Sequence, residues 1–284
     1  MLEKARREEI NTAVGHNKKL ATKGYFVIGS EKIERKKIKE KDWSRDSKVY
    51  TFAFDFLETL PQFYRNNARE LNVDEKGSYH LDDSDYADLR REAVVFLNYI
   101  LDTFAQERDL TAVELGGQGF NLFSSFPQDF FRRTLGVCLE DIRMEEEKHE
   151  QSEKKHSVLE LDILDTKGKA LEDGLRKELG LPKTNLIICR MKGPLNHINK
   201  DPAILDRLIR NWYKLLKENG ILFVQFIFTS NLEEDPQLLE TIKKWKERVM
   251  SEFNIDIEVG KKSLRLHKKP GAPEELPPAT QLFK

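Results

Sequence analysis

The residues best suited to chemistry in this chain begin with a glycine-rich turn. The segment VELGGQGFN (113–121) places Glu114 just before Gly116, Gly117 and Gly119. Glycine allows a tight reversal with positive φ, and its missing Cβ lets a ligand approach the backbone. Backbone N–H groups at such a turn, with a helix beginning behind it, can hold the carboxylate of an amino-acid-like ligand. A turn of this kind is also typical of an ordinary strand-to-helix connection, so it needs support from other residues.

Further carboxylates follow the next two apolar segments. Glu140 and Asp141 come at the end of one, and Asp162 comes at the end of the other. A carboxylate at the end of a second strand can accept both hydroxyls of a ribose. Asp162 can accept a hydrogen bond from an adenine amino group, with Ile163 packing on the ring. Because ligands of open α/β sheets bind at the carboxyl ends of strands, these acids and the glycine turn predict one shared site.

A fourth apolar segment leads into CRMKGPLNH (189–197), which offers two weaker candidates for catalysis. His197 could act as a general base, and Arg190 could orient an anionic substrate. A loop histidine and a salt-bridged arginine are the simpler interpretations, and we favour them. Cys189 lies within an apolar segment and is expected in the core. With two cysteines, no CxxC pair and no Cys/His cluster, neither a disulfide framework nor a metal site is expected.

The elements that position these residues alternate between short apolar segments and polar helical ones. The apolar segments are rich in Val, Ile and Leu, which suits parallel strands buried on both faces. Five such strands are predicted at 111–115, 134–140, 157–164, 185–190 and 220–228. Helices are predicted between them, at 126–133, 141–155, 168–179 and 202–218.

The end of the chain predicts a different arrangement. A helix at about 236–252 leads to two final apolar segments, 253–259 and 263–268. The GKK tripeptide that joins them is too short for a parallel crossover, so they must form an antiparallel hairpin. The predicted fold is therefore an α/β sheet of five parallel strands with a C-terminal antiparallel hairpin.

The chain changes character near residue 110. Before it the sequence predicts helices and loops: a charged solvated helix within 31–48, a helix that ends or kinks at Pro61, and an amphipathic helix from about 83 to 104. We therefore expect a helical accessory region at 1–109, a cofactor-binding domain at 110–268 and a proline-rich tail at 269–284. The tail is expected to be extended and loosely attached.

Residues 111–268 resemble the class I S-adenosylmethionine-dependent methyltransferases. The resemblance lies in Glu114–Gly119 as the first motif, Leu135–Asp141 as the second and Leu161–Ile163 as the third, with 185–190 and 216–222 matching the fourth and fifth strands. It implies a seven-stranded Rossmann-like sheet and S-adenosylmethionine as cofactor. It also implies that Gly116, Gly117 and Gly119 approach the methionine moiety, that Glu140 or else Asp141 holds the ribose, and that Asp162 meets the adenine.

Composition narrows the expected acceptor and location. The chain has 284 residues, with 48 basic and 49 acidic side chains and a net charge of −1. This balance does not favour bulk nucleic acid, so a small-molecule or protein methyl acceptor is expected, with the N-terminal helices covering its site. The N-terminus lacks the apolar region of a signal peptide, and no segment approaches 18 apolar residues. The protein is therefore expected to be cytoplasmic and not membrane-bound.

Two other functional classes stay open. Gln118 and Phe120 stand where the related family has glycine, and Cys138 stands where it has the ribose acid. These departures favour a non-catalytic binding or scaffold protein that kept the fold. An NAD(P)-dependent oxidoreductase is less well supported, because the GxGxxG motif is absent and its fold does not explain the terminal hairpin.

Overall fold

The computed structural model divides the chain into two compact units. One contains Met1–Arg108 with Asn121–Phe130, and the other contains Asp109–Phe120 with Phe131–Lys284. The residues that the structure describes are 26–28, 31–33, 56, 58–67, 95–124, 126–127, 129–163, 168–190, 202–225, 246–247, 250, 253–260 and 263–276.

The second unit is built on a seven-stranded sheet. Its strands are β3 (Thr111–Leu115), β4 (Arg133–Cys138), β5 (His156–Glu160), β6 (Thr184–Cys189), β7 (Leu216–Gln225), β8 (Ile255–Val259) and β9 (Ser263–Lys268). They lie in the order β5-β4-β3-β6-β7-β9-β8. The first five are mutually parallel, and β9 runs antiparallel to both β7 and β8. The prediction of five parallel strands and a terminal hairpin is confirmed.

The central strands are buried because helices connect them. Every residue of β3 and of β6 is buried, as expected for parallel strands covered on both faces. The connecting helices are α3 (Glu145–Glu153), α4 (Lys169–Leu179) and α5 (Pro202–Lys214). In α4, Leu171, Leu175 and Leu179 recur every fourth residue and are buried, which gives the helix its apolar face.

Three of the predicted helices differ from the structure. The helix predicted at 126–133 is wrong: the only helical residues between β3 and β4 that the structure describes are Phe120–Phe123, here α2. Pro127 has no backbone N–H and fixes its φ, which favours the bends observed after α2. The helix predicted at 202–218 ends at Lys214, because Leu216 already pairs with Thr184 of β6. The charged helix predicted within 31–48 begins instead with a strand.

That strand belongs to the first unit, where β1 (Phe26–Ile28) pairs antiparallel with β2 (Glu31–Ile33). Helix α1 (Gln62–Asn67) begins directly after Pro61. Residues 95–103 are helical, and they bury the apolar side chains expected of the second helix, including Leu97, Ile100 and Leu101. Phe56 is helical, 58–60 form a turn before Pro61, and Phe104 lies in a turn after the second helix. The other residues predicted for these two helices lie outside the described part of the chain.

The first half of the C-terminal tail is attached to the second unit. The hydroxyl of Tyr213 donates a hydrogen bond to the carbonyl oxygen of Pro273 over 2.9 Å. The ammonium group of Lys268 donates to Glu274 over 3.1 Å, and Leu276 is buried. The prediction of a loosely attached tail is therefore wrong for 269–276, because proline-rich composition does not prevent anchoring by such contacts. Residues 277–284 lie outside the described part, as does most of the helix predicted at 236–252.

Candidate functional site

The glycine turn lies at the carboxyl end of β3 and folds back along β4. Gly116 has a φ of 84° and donates its N–H to the carbonyl oxygen of Val137 over 2.8 Å. Gly117 forms an isolated antiparallel bridge with the same valine, and Gly119 has a φ of 77°. Two positive φ angles within four residues explain why the turn needs glycine at these positions.

Close approach of neighbouring atoms explains two more glycines. A Cβ at Gly136 of β4 would lie 2.0 Å from the carbonyl oxygen of Gln118, so the turn rests directly on that strand. A Cβ at Gly117 would lie 2.6 Å from the Cδ of Glu114. The turn is thus held between the backbone of β4 and a carboxylate from β3.

That carboxylate forms a buried ion pair. Glu114 is 1% exposed, and its Oε1 accepts hydrogen bonds from the guanidinium of Arg190. The backbone N–H of Arg190 also donates to the carbonyl oxygen of Leu115 over 3.2 Å, which continues the pairing of β6 with β3. The interpretation of Arg190 as a salt-bridged arginine is confirmed.

The two acids after β4 have different surroundings. Both carboxylate oxygens of Asp141 accept hydrogen bonds from Arg143 over 2.8 Å. Although partial burial acts to raise the pKa of Asp141, the hydrogen bonds and charge of Arg143 bring it below its ordinary value. Glu140 is exposed, and its carboxylate makes no hydrogen bond or ion pair with any residue that the structure describes. Glu140 alone of the two presents a carboxylate to solvent.

The third predicted acid follows β5. That strand ends at Glu160, whose carboxylate accepts the backbone N–H of Asp141 over 2.8 Å and so ties the ends of β4 and β5 together. Asp162 is exposed, whereas Ile163 is 7% exposed and packs in the core of the unit. Sequence reasoning missed Arg143 and Glu160, although both lie within two residues of predicted site residues.

The other chemical candidates have simpler roles. Cys189 is fully buried in the core, as predicted, and burial raises the pKa of its thiol. Burial also raises the pKa of the Cys138 thiol to about 11. His197 lies outside the described residues. Within the described part of the chain, no group of three or more His, Cys, Asp or Glu side chains is placed to bind a metal ion. No helix in that part is long and apolar enough to span a membrane.

Strand order decides the fold. Counted from β3 as the first strand, the sheet reads 3-2-1-4-5-7-6, with the seventh strand antiparallel and the glycine turn directly after the first. This is the class I methyltransferase fold. The fold class expected from the resemblance is therefore confirmed.

Comparison with solved structures finds several methyltransferases among the similar chains. The MycE methyltransferase of the mycinamycin biosynthetic pathway, described in complex with Mg and SAH, is 14% identical, with a TM-score of 0.38. The match covers 71% of this chain and 59% of MycE, so the chain spans less than two thirds of that protein. An rRNA methylase from Streptococcus thermophilus is 12% identical, with a TM-score of 0.37 and coverage of 61% of this chain and 95% of that one.

A S-adenosylmethionine-dependent methyltransferase from Clostridium acetobutylicum ATCC 824 is 19% identical, with a TM-score of 0.32 and coverage of 57% of this chain and 55% of that one. No protein-family model matches the sequence, and no curated protein matches it. Matches at these identities and TM-scores carry no argument about activity, which has to be inferred from this chain's own residues.

Two histidines, the buried His156 and the half-buried His267, make the stability of the second unit sensitive to acid. Burial lowers the pKa of His156 to about 3 and that of His267 to about 4, whereas a histidine in the unfolded chain titrates near 6.5. Both are neutral in the folded protein, so the unfolded state binds more protons as the pH falls below 6.5. Their contribution is complete above pH 6.5 and declines toward pH 3–4, by up to about 2 kcal/mol per histidine at pH 5.

We therefore expect the free energy of unfolding, measured by urea denaturation, to fall between pH 7 and pH 5. Replacing either histidine with phenylalanine should reduce that fall by the contribution of one histidine, up to about 2 kcal/mol at pH 5. A free energy of unfolding that stays level or increases toward pH 5 would contradict the burial of neutral histidines.

Proposed function

We propose that this protein is a S-adenosylmethionine-dependent methyltransferase acting on a small molecule or a protein side chain rather than on nucleic acid. The observation that carries the proposal is the glycine turn after β3, with Gly116 and Gly119 at positive φ, beside the exposed carboxylate of Glu140 after the neighbouring β4. A sheet of the class I order brings these two features to one edge.

The residues present at this edge fit the parts of the cofactor. Backbone N–H groups of the Gly116–Gly119 turn suit the methionine carboxylate. Glu140 is better suited than Asp141 to the ribose hydroxyls, because both oxygens of Asp141 are already bound by Arg143. Asp162 is exposed after β5 and would meet the adenine. When bound, S-adenosylmethionine supplies an electrophilic methyl group for in-line displacement.

Other residues would act by holding these groups in place. Glu114 lies against Gly117 and is bound by Arg190, so we assign the pair to orienting the turn rather than to contacting the acceptor. Arg143 would orient the chain after β4 through Asp141 and through Gln151 of α3, to which it donates over 2.9 Å. His197 stays a weaker candidate for the general base, with a loop histidine the favoured interpretation.

The ion pairs of Arg190 and Arg143 favour a second candidate function. Two of the predicted acids, Glu114 and Asp141, are engaged within the protein by Arg190 and Arg143. A protein that retained the fold for binding or scaffolding would keep such pairs for stability and would have no need of the cofactor.

Calorimetric titration of the purified protein with S-adenosylmethionine and S-adenosylhomocysteine, with NADH as control, tests the proposal. Micromolar binding of either sulfur ligand would support the methyltransferase and justify a screen of acceptors. Absence of both would favour the scaffold protein, and preferential binding of NADH would overturn the proposal in favour of an oxidoreductase.

A pair of variants tests the choice of ribose acid. Replacing Glu140 with glutamine should weaken binding of S-adenosylhomocysteine about tenfold, since hydrogen bonds to a charged group contribute about 1.5–3 kcal/mol. The unfolding free energy should stay within about 0.5 kcal/mol, because the side chain is exposed. Replacing Asp141 with asparagine should instead destabilise the protein, because Arg143 then loses its charged partner.

Glu146 of α3 is an exposed acid nearby, so Glu146→Gln serves as the matched control and should change neither quantity. Weaker binding from Asp141→Asn than from Glu140→Gln, at a temperature where both remain folded, would contradict the assignment.

A further inference from the structure

We propose that His156 positions the glycine turn by holding the carbonyl group of Gln118, and that this sets the direction of the Gly119 N–H toward the cofactor. The second part of this inference rests on the proposed function. His156 is the first residue of β5 and is 3% exposed, and sequence reasoning gave it no role.

Both ring nitrogens of His156 have partners. Nε2 lies 2.7 Å from the carbonyl oxygen of Gln118, and Nδ1 lies 2.7 Å from Oγ1 of Thr134. A carbonyl oxygen can only accept, so Nε2 must carry the proton. Nδ1 then accepts from the Thr134 hydroxyl. This arrangement fixes one neutral tautomer and makes a directed chain from Thr134 through His156 to Gln118.

Packing around the ring holds that arrangement. Phe120, the residue after Gly119, meets the imidazole edge-to-face with ring centroids 5.5 Å apart. The Lys154 ammonium lies 5.2 Å from the centroid of the Phe120 ring. Burial also keeps the imidazole neutral at physiological pH, since it lowers the pKa of His156 to about 3. The ring therefore has little freedom to leave the Gln118 carbonyl.

The consequence for the turn follows from peptide geometry. In a planar trans peptide, the carbonyl of one residue and the N–H of the next point in opposite directions. No cis peptide bond occurs among the described residues. Because His156 draws the Gln118 carbonyl toward itself, the Gly119 N–H must point away from it. His156 therefore sets the direction of a donor in the turn that we assign to the methionine carboxylate.

Gly136 of β4 also holds the Gln118 backbone in place. It pairs with Glu114 across β3 and β4, and its missing Cβ leaves the space in which the Gln118 backbone lies. Gln118 is thus fixed at its backbone by close contact with β4 and at its carbonyl by His156. A histidine that only filled the core would make no hydrogen bond to the Gln118 carbonyl.

Three variants test the proposal in the full-length protein. His156→Phe keeps the aromatic packing and removes both hydrogen bonds. His156→Gln restores a side-chain N–H at a similar distance from the backbone and should rescue the contact. His267→Phe is the matched control, because His267 is a half-buried neutral histidine with a hydrogen bond to Asn219 and lies in β9, five strands away from β5 in the sheet.

Two measurements are made on each variant. Amide hydrogen exchange of residues 116–120, without ligand, should be at least tenfold faster in His156→Phe and nearly unchanged in His156→Gln and His267→Phe. The affinity for S-adenosylhomocysteine, measured where every variant is folded, should fall at least tenfold in His156→Phe alone. If His156→Phe does not fold, the His156→Gln variant decides. Wild-type exchange of residues 116–120 and wild-type affinity in that variant would support the proposal, whereas faster exchange together with weaker affinity would overturn it.

Unchanged exchange of the turn in folded His156→Phe would overturn the positioning role. Equal loss of affinity in His267→Phe would overturn it as well, since general destabilisation would then explain the effect. If the wild-type protein binds no sulfur ligand, the proposed function fails, and the exchange measurement still decides whether His156 holds the turn.

Discussion

Replacing Arg190 with methionine is expected to lower the free energy of unfolding by about 3–5 kcal/mol, the range for removing one partner of a buried ion pair. Glu114 is 1% exposed, so its carboxylate would be left without its guanidinium in a site that water cannot enter freely. The loss should also reach the cofactor site, because the same carboxylate lies against Gly117. Urea denaturation measures the first effect, and titration with S-adenosylhomocysteine measures the second.

Two further variants identify the cause. Arg176 makes an exposed ion pair with Glu172 over 3.5 Å, so Arg176→Met should change stability by less than about 1 kcal/mol. Removing the charge of Glu114 as well, in a Glu114→Gln/Arg190→Met double variant, should recover a large part of the loss, because no unpaired charge is then buried. A double variant less stable than Arg190→Met would show that the guanidinium contributes by packing rather than by charge.

Most of the sheet could be predicted because its strands carry their own signals. Segments such as TAVEL (111–115) are short, apolar and rich in β-branched residues, which suits strands buried on both faces. The GKK connection allowed only an antiparallel hairpin, and β8 and β9 form one. The order of the strands was first given by the structure, because local patterns do not state which strands are neighbours.

The prediction was wrong where local patterns compete with tertiary contacts. Residues 126–133 have helical spacing of apolar side chains, but Pro127 and the start of β4 at Arg133 leave no room for a helix. The prolines of the tail predicted loose attachment, yet Tyr213 binds the carbonyl of Pro273 and Lys268 binds Glu274. The contact of Tyr213 with Pro273 joins residues 60 apart, which no local pattern shows.

The candidate site also has a part that single positions predict and a part that depends on which strands are neighbours. Glycine types and spacing predicted the turn, since positive φ and close approach are properties of single positions. The pairing of Glu114 with Arg190 joins residues 76 apart, and only the adjacency of β3 and β6 brings them together. His156 gave no signal, because a histidine after two lysines resembles a surface residue until β5 is placed beside β4.

Gly136 is the position where the smallest change should do the most damage to the turn. An alanine there would place its Cβ 2.0 Å from the carbonyl oxygen of Gln118 and 2.2 Å from its carbonyl carbon. These are backbone atoms, so the clash cannot be relieved by rotating a side chain. Either the turn lifts from β4, which breaks the contact of Gln118 with His156, or the strand shifts. We expect a loss of about 3 kcal/mol of stability, at the upper end of overpacking.

The effect on ligand binding should exceed the effect of any single acid, because lifting the turn displaces several backbone donors together. We expect the affinity of Gly136→Ala for S-adenosylhomocysteine to fall at least a hundredfold. Gly174→Ala is the matched control: its Cβ would clash only with the Cδ2 of Leu159, the end of a flexible side chain, at 2.3 Å. Alanine is also favoured within α4, which offsets the adjustment of that leucine. Wild-type affinity together with faster amide exchange of residues 116–120 in Gly136→Ala would mean that the turn moves and does not hold the ligand.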